Sequence, residues 1–225
     1  MKFDVIVSDP PWPAKDLLAM SKVKRGAAAN YSVMTIDDIK NLKVKDIAAD
    51  NSVLVLWVPS WLLQEGMDIM KTWGFRQTQT WIWVKVKKDP FEVLKKSLRK
   101  KASKKMISLA DVNKLLDSSD LADVLAFFMG RLFRQTHEIA LVGVRGKAYK
   151  ALKNKSQRSV AFDQNLKHSA KPEALQDKLE LMFPKTKKLE MFARRGRPNW
   201  TCVGLECPSS LGEDMRDSID RLTKL

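Results

Sequence analysis

The 225-residue sequence has little of what metal sites, disulfide frameworks and membrane spans require. It has two cysteines, Cys202 and Cys207, and two histidines, His137 and His168, and neither pair has the spacing of a metal site. We therefore expect no metal and no disulfide. No apolar run approaches the roughly 20 residues that cross a bilayer. The first residues lack the basic and apolar regions of a signal peptide, so we expect a soluble, cytoplasmic protein without a membrane partner.

Acidic residues are scarce relative to basic ones. The chain has 41 Lys and Arg against 26 Asp and Glu, a formal charge of +15 and a pI near 9.8. A surface with this excess attracts polyanions, and nucleic acid is the commonest such partner. An anionic membrane surface is the weaker alternative. The length suits a single domain, residues 1–225, with a complete core.

Short apolar runs rich in Val, Ile and Trp alternate with segments of helical period, as in a parallel sheet with crossover helices. The predicted fold class is therefore α/β, with helices on both faces of the sheet. Helices are predicted to begin at Thr35, which opens a capping box, at Ser60 and at the Lys171-Pro172 pair. The predicted strands are residues 2–8, 52–58, 77–87, 137–145, 188–193 and 200–204.

A dense basic run interrupts the strand pattern. Residues 88–130 have a helical period, which predicts an inserted helical subdomain. Ten Lys or Arg lie between Lys85 and Lys105, against only Asp89 and Glu92, so these charges do not compensate each other. Contact with nucleic-acid phosphates explains the excess better than an ordinary solvated helix face. The predicted contacts are Lys85, Lys95, Lys96, Arg99, Lys100, Lys101, Lys104 and Lys105.

The tetrad Asp9-Pro10-Pro11-Trp12 follows the first predicted strand directly. Ligands of an open parallel sheet bind beyond the carboxyl ends of its strands, so the tetrad is a candidate site. The Asp9 carboxylate and the Pro10 carbonyl, held by the locked Pro-Pro angles, are adjacent acceptors that suit an amine with two N–H bonds. The exocyclic amine of adenine is such a group, and it is a poor nucleophile that must be held to react. Trp12 would stack on the base. The alternative is a strand-ending turn with a core tryptophan.

Phe3 to Trp12, reading FDVIVSDPPW, resembles the motif of the MT-A70-like adenine methyltransferases. The resemblance spans residues 3–206 apart from the insertion. It implies an S-adenosylmethionine-dependent enzyme that methylates the N-6 amine of adenine and forms S-adenosylhomocysteine. It also implies a permuted Rossmann-like sheet, with the tetrad first and the cofactor-binding strands last. Further segments match in order at residues 30–34, 55–58, 73–75, 83–85, 137–138, 141–146, 169–172 and 189–194.

The resemblance also implies a cofactor site. Lys171 and Ser169, near a helix start, would bind the methionine carboxylate, as would Arg145. Glu206 follows the last strand and would accept hydrogen bonds from ribose hydroxyls. Solvated surface is the alternative for the basic and loop residues of this set. The predicted cofactor-binding residues are Asp9, Arg145, Ser169, Lys171, Arg194, Asn199 and Glu206.

Three features depart from the family pattern. Leu205 stands where the family usually has Asn before the acidic residue, and Leu132 stands where it has an aromatic residue. Few residues precede Phe3, so we expect residues 162–164 to complete the pocket for the cofactor adenine. Tyr31 is expected at the rim of the target-base site, with a core tyrosine as the alternative.

The size of the chain and its lack of a zinc knuckle favour a bacterial or bacteriophage DNA enzyme over a subunit of an RNA-modifying complex. The same reaction on RNA is one alternative. The other is a catalytically silent nucleic-acid-binding subunit with the same fold. The sequence leaves a homodimer open, and it does not determine the target sequence.

Overall fold

The computed structural model describes residues 1–13, 33–102, 108–117, 120–128, 132–164 and 170–225. Seven strands within these ranges form one mixed sheet. They are β1 (Phe3–Ser8), β2 (Ala48–Val58), β3 (Arg76–Val86), β4 (His137–Arg145), β5 (Val160–Gln164), β6 (Lys188–Met191) and β7 (Trp200–Val203). Their order across the sheet is β5-β3-β4-β2-β1-β6-β7. Six of the seven correspond to predicted strands, and β5 was not predicted.

Helices follow β1, β2, β3, β5 and β7, and together with the strands they confirm the predicted α/β class with a Rossmann-like methyltransferase sheet. Thr35 caps the first helix as predicted, because its hydroxyl accepts the Asp38 N–H at 3.0 Å in a complete capping box. Ser60 caps no helix and lies in a 3-10 turn. The helices are α1 (Ile36–Lys40), α2 (Val44–Ile47), α3 (Leu63–Thr72), α4 (Pro90–Lys101), α5 (Leu109–Asp117), α6 (Ala174–Met182) and α7 (Met215–Lys224).

The direction of the strands differs from the purely parallel pattern that the sequence indicated. β1 runs parallel to β2 and β6, and β7 runs parallel to β6. β4 runs antiparallel to β2 and pairs Ile139 with Val58 and Arg145 with Ser52. The physical reason is that a strand buried on both faces reads as an apolar run in either direction. The carboxyl ends of β1, β2, β6 and β7 and the amino end of β4 therefore share one edge, the carboxyl edge.

The core makes the central strands rigid. Leu54 and Leu56 on one face of β2 are fully buried, and Val55 and Trp57 on the other face are at most 2% exposed. Leu54 and Leu56 belong to a core cluster that also contains residues of α1, α3 and α7. Burial on both faces holds the neighbouring β1, and thus the start of the tetrad, in a fixed position.

The chain divides into two units. Met1–Ile82, Glu138–Ser159 and Glu173–Leu225 form the first unit, and Trp83–His137 with Val160–Pro172 form the second. Helices α4 and α5 belong to the second unit and lie within the predicted insertion. No helix in the described part of the chain is long and apolar enough to cross a membrane.

Candidate active site

The tetrad leaves the carboxyl end of β1 in a tight turn. The Trp12 backbone N–H donates to the Pro10 carbonyl at 2.8 Å, and this bond to a residue two positions earlier closes a turn around Pro11. The Pro11 carbonyl accepts the Met34 N–H at 2.9 Å, which ties the turn to the chain ahead of α1. A carbonyl oxygen has two lone pairs, so the Pro10 carbonyl can still accept a second hydrogen bond.

Trp12 is a core residue. It is 7% exposed, belongs to the main core cluster, and donates its indole N–H to the Trp57 carbonyl at 2.9 Å. The ring therefore packs against β2 and has no open face for a base. The predicted stacking role is corrected to the alternative, a core tryptophan, because an indole gains most when its ring is buried and its N–H is bonded.

Two carboxylates interact at the carboxyl edge. Glu190 of β6 pairs with Val7 of β1, and Asp9 follows two residues later on that neighbouring strand. Burial raises the pKa of Glu190 above its ordinary value of 4.5, and the negative charges of Glu173 and Asp9 raise it further. The hydrogen bond that Glu190 accepts from Gln176 acts in the opposite direction.

The same region contains two buried polar atoms without a hydrogen-bond partner among the described residues. They are the Gln176 side-chain oxygen and the hydroxyl of Ser8, which directly precedes Asp9. Buried polar atoms of this kind normally have partners. Neither Glu190 nor Gln176 was predicted from the sequence. The available signal was an ionisable residue, Glu190, between the apolar Leu189 and Met191 of a short strand, because burying such a residue is costly unless it has a partner or a function.

Arg194 and Glu206, both predicted to bind the cofactor, lie close to each other. They follow the carboxyl ends of β6 and β7, and Arg194 Nε lies 3.6 Å from Glu206 Oε1. Gly204 allows the two segments to approach, since a Cβ at this position would lie 2.2 Å from the Ala193 carbonyl oxygen. Leu205, which replaces the family's asparagine, is 49% exposed. The carboxyl edge thus carries Asp9, Glu190, Arg194 and Glu206.

Arg145 is not brought to this edge. Its partner Ser52 lies toward the amino end of β2, and its guanidinium donates to the Lys45 and Ala48 carbonyls at 3.1 and 3.4 Å. It also lies 3.7 Å from the Asp50 carboxylate. The expected position beside the cofactor is corrected, because β4 is antiparallel and its end therefore lies at the opposite edge.

Asn199 also lies at the opposite edge. It directly precedes β7, which starts beside β6 where Trp200 pairs with Lys188. The segment 192–199 must therefore cross from the carboxyl edge back to the amino edge, as any connection between parallel strands must. The expected place of Asn199 beside Arg194 is corrected for this reason.

Arg197 holds the crossing segment against α6. Its guanidinium donates to Glu180 at 2.7 Å, to Asp177 at 2.6 Å and to Glu173, whose carboxylate also pairs with Arg195. The Arg197 side chain is only 15% exposed. The hydrogen bond from Arg197 lowers the pKa of Glu180, and a hydrogen bond from the Trp200 indole lowers it further. Arg197 was not predicted as a site residue, because its partners are separated from it in sequence and meet it only in the fold.

The remaining predicted cofactor residues belong to the second unit or lie outside the described ranges. Lys171 is partly buried and precedes α6, which begins at Ala174 and not at Lys171-Pro172 as predicted. Phe162 and Asp163 lie in β5, and the Asp163 carbonyl accepts the Trp83 indole N–H at 3.2 Å. The predicted residues outside the described ranges are Tyr31, Lys104, Lys105 and Ser169.

The described part of the basic run forms the exposed face of α4. This helix has no buried residue, and one of its lysines pairs with Glu92 at 2.6 Å. Lys85 lies on β3 with its ammonium 4.8 Å from the ring centre of Trp83. The exposed cations of α4 are Lys95, Lys96, Arg99, Lys100 and Lys101.

Comparison with known proteins identifies the family whose motif the tetrad resembles. The MT-A70 family profile matches residues 3–120 and 119–206. The Type II methyltransferase M.MunI of Mycoplasma sp is 24% identical over 224 residues, covering 93% of this chain and 79% of that protein. The human N(6)-adenosine-methyltransferase catalytic subunit METTL3 is 23% identical over 205 residues, covering 90% of this chain and 28% of that protein.

A third relative is similar over a shorter stretch. The N6-adenosine-methyltransferase non-catalytic subunit MTB of Arabidopsis thaliana is 40% identical over 89 residues, covering 39% of this chain and 11% of that protein. The chain thus spans less than a third of these two eukaryotic relatives. The family profile covers most of the chain, including β1, the tetrad and β7. The chain belongs to the MT-A70 family of adenine N6-methyltransferases.

Proposed function

We propose that this protein transfers a methyl group from S-adenosylmethionine to the N-6 amine of adenine in DNA. The observation that carries the proposal is the tetrad turn at the carboxyl edge. The Asp9 carboxylate and the Pro10 carbonyl are two acceptors on adjacent residues, and the turn restrains the carbonyl. They suit an amine with two N–H bonds, which becomes more nucleophilic as its nitrogen approaches tetrahedral geometry.

Each residue of the tetrad has a separate task in this proposal. Asp9 and the Pro10 carbonyl orient the amine, and the Asp9 carboxylate takes the proton that nitrogen loses when it gains the methyl group. Trp12 is a positioning residue, since its bond to the Trp57 carbonyl joins the tetrad to β2. Rigid support of this kind keeps reacting groups aligned.

The residues at the carboxyl edge fit S-adenosylmethionine, which supplies an electrophilic methyl group on sulfur. The Gln176 oxygen has no donor among the described residues, and the Glu190 carboxylate can accept bonds beyond the one from Gln176. The amino-acid ammonium of the cofactor has three N–H donors. We infer that these two residues hold the ammonium. Glu206 would bind the ribose hydroxyls, with Arg194 orienting its carboxylate. Lys171 and Ser169 remain the predicted partners of the cofactor carboxylate.

DNA is preferred over RNA as the substrate. The Type II methyltransferase, the bacterial DNA enzyme among the relatives, is similar over 93% of this chain, and this similarity supports DNA as the substrate. The exposed cations of α4 support a polyanion of either kind, because phosphate contacts do not distinguish sequence or sugar directly.

The test is nucleoside mass spectrometry after incubation with isotope-labelled S-adenosylmethionine and either DNA or RNA. We expect labelled N6-methyladenine in DNA from the wild-type protein and none from Asp9→Ala. Exposed Asp37→Ala serves as the matched control, because this carboxylate lies on α1 outside the tetrad. Label confined to RNA would overturn the choice of DNA.

A catalytically silent nucleic-acid-binding subunit is the second candidate. Leu205 replaces a polar family residue beside Glu206, and the 40% identical relative is itself named a non-catalytic subunit. Calorimetry with S-adenosylmethionine separates the two functions. Binding with a Kd that rises in Glu190→Gln supports the enzyme, whereas absence of binding to the folded wild-type protein supports the silent subunit.

A further inference from the structure

A loop of the second unit, residues 125–136, doubles back beside β3. The structure describes its residues 125–128 and 132–136, and we refer to it as the tip loop. Phe128 pairs with Gln135 in antiparallel orientation, so the two arms of the loop lie side by side. The backbone N–H of Lys85 donates to the Thr136 carbonyl at 2.7 Å. The base of the loop is therefore fixed to a strand.

Large apolar side chains of the tip loop face solvent. Leu132 is 93% exposed, Phe133 is 88% exposed and Phe127 is 71% exposed. Scattered exposed apolar residues are common, but three large ones on one short loop indicate a surface that a partner covers. Two are aromatic, and a phenyl ring can stack on a flat partner.

Cations lie directly on the aromatic rings of this region. The Arg134 guanidinium is 4.6 Å from the ring centre of Phe127, and the Lys85 ammonium is 5.0 Å from that of Phe128. Aromatic rings beside Arg and Lys are the arrangement that binds single-stranded nucleic acid, with bases on the rings and phosphates on the cations.

The charge of the segment argues against a second copy of this chain as the partner. Residues 83–137 contain 13 Lys or Arg and 6 Asp or Glu. Two such segments would repel each other if they met, whereas a polyanion would be attracted. Nucleic acid fits both features, because its bases would bury the apolar side chains and its phosphates would attract the cations.

We propose that the tip loop binds unpaired bases of the nucleic acid, with Phe127, Leu132 and Phe133 against the bases and Arg134 on the backbone. This inference rests on the proposed function and specifies the form of its substrate. The N-6 amine of adenine is engaged in pairing within a duplex, so an enzyme that acts on it needs the base unstacked. Apolar side chains that insert between bases stabilise that state.

The test uses the full chain, without cofactor, and oligonucleotides of about 12 nucleotides that carry one 2-aminopurine. This base analogue changes its fluorescence when its stacking changes. We expect the double variant Leu132→Ser, Phe133→Ser to lose the fluorescence change and to raise the Kd for single-stranded DNA by about 10- to 100-fold. The dependence of binding on salt should stay unchanged, because no phosphate contact is removed.

Phe91→Ser is the matched control. Phe91 is 77% exposed on the basic helix α4, so its replacement removes an equally exposed ring outside the tip loop. Its Kd should stay within about twofold of the wild type. Phe127→Ser provides a second variant within the loop, and thermal unfolding verifies that every variant is folded.

Equal affinity of the double variant and the wild type for the single-stranded probe would overturn the inference. Dissociation of a wild-type dimer by the double substitution, without nucleic acid, would also overturn it and assign the loop to a second copy. Methyl transfer is measured in parallel. If the wild-type protein methylates DNA and the loop variants bind the probe as the wild type does, only the binding role of the tip loop is refuted. If the wild-type protein binds the probe but transfers no methyl group, only the proposed function is refuted.

Discussion

The indole N–H of Trp12 donates to the backbone carbonyl of Trp57 at 2.9 Å, across 45 positions of sequence. This bond joins the end of the tetrad to the neighbouring strand β2. It satisfies a carbonyl at the carboxyl edge and at the same time buries the ring of Trp12. Trp12, the aromatic residue of the motif, therefore helps to hold Asp9 and Pro10 in position.

Trp12→Phe should lower the free energy of unfolding by about 1–3 kcal/mol, because the Trp57 carbonyl would lose its partner while the cavity stays largely filled. Methyl transfer should fall with it, since the tetrad loses its support. Chemical denaturation and transfer rates measure the two effects. Trp57→Phe is the control, because the bond uses only the Trp57 backbone. A transfer rate that falls equally in both variants would contradict the role assigned to the bond.

Asp9→Asn should reduce methyl transfer by about 100-fold or more, because the amide cannot take up the proton that leaves the amine. Affinity for DNA should change by no more than a few-fold, since the cations of α4 supply the phosphate contacts. Single-turnover kinetics and fluorescence anisotropy give the two quantities. Loss of both transfer and binding would contradict this role, and a thermal melt shows whether the variant is folded.

Glu190→Gln should stabilise the free protein near neutral pH while weakening cofactor binding. The pKa of Glu190 is raised from 4.5, so the folded state holds the proton to higher pH than the unfolded chain, and wild-type stability falls as pH rises through the window above 4.5. The variant carries no such proton and can donate to the Gln176 oxygen. Without the charge, the Kd for S-adenosylmethionine should rise by about 10- to 100-fold.

Urea denaturation at several pH values and calorimetry test the prediction for Glu190. The substitution Glu190→Gln should remove the fall in stability that the wild type shows above pH 4.5. A parallel pH dependence in the two proteins would show that Glu190 does not cause the fall in stability. An unchanged Kd would show that its charge does not bind the cofactor.

Arg197→Gln should lower the free energy of unfolding by about 1–3 kcal/mol at pH 7, because carboxylates of α6 lose their common partner. The Arg197 hydrogen bond is the largest influence that lowers the pKa of Glu180 below 4.5. A carboxyl with a lowered pKa adds stability above pH 4.5, and this is lost as the pH falls toward its folded value. The difference in the free energy of unfolding between Arg197→Gln and the wild type should therefore become smaller at acid pH.

Arg216→Gln is the matched control for Arg197. Arg216 pairs with Asp38 at 2.6 Å, but its side chain is 53% exposed. Solvent screens such a pair, so the loss of Arg216 should lower the free energy of unfolding less than the loss of Arg197 does. Urea titrations at pH 7 and pH 4 compare the variants. Equal losses of stability in Arg197→Gln and Arg216→Gln would contradict a larger contribution of Arg197 to folding.

Replacing the five exposed cations of α4 by Gln should weaken binding to DNA. The slope of log K against log salt should become shallower by about one for each phosphate that the helix no longer binds. Lys71→Gln with Lys224→Gln is the control, because both lysines are exposed at other sites. Anisotropy at several salt concentrations gives the slope. An unchanged slope in the α4 variant would exclude this helix from the DNA interface.

Features that depend on neighbours in sequence were predicted well. β4 was predicted over residues 137–145 and is His137–Arg145, and Thr35 caps α1 through a bond to a residue three positions later. Gly74 follows α3 with a φ of +86, the conformation by which a glycine commonly ends a helix. Period, capping and burial in strands are local signals, so the sequence carries them directly.

Errors arose where a side chain depends on strands that are distant in sequence. Arg145 and Asn199 both stand next to strand ends, yet the antiparallel β4 and the start of β7 put them at the edge away from Asp9. Trp12 has an aromatic ring of the kind that stacks on bases, but the ring is buried against β2. Glu190 was missed because its proximity to Asp9 arises only from the pairing of β6 with β1.

By itself, the sequence determined the family, six of the seven strands and the position of Asp9 after β1, because a motif and a hydrophobic period are contained in short stretches of chain. Only the tertiary structure decided which strand ends share an edge, since that depends on the direction of each strand in the sheet. It also decided which polar side chains are buried together. For this reason Glu190 and Arg194 join Asp9 at the carboxyl edge, and Arg145 does not.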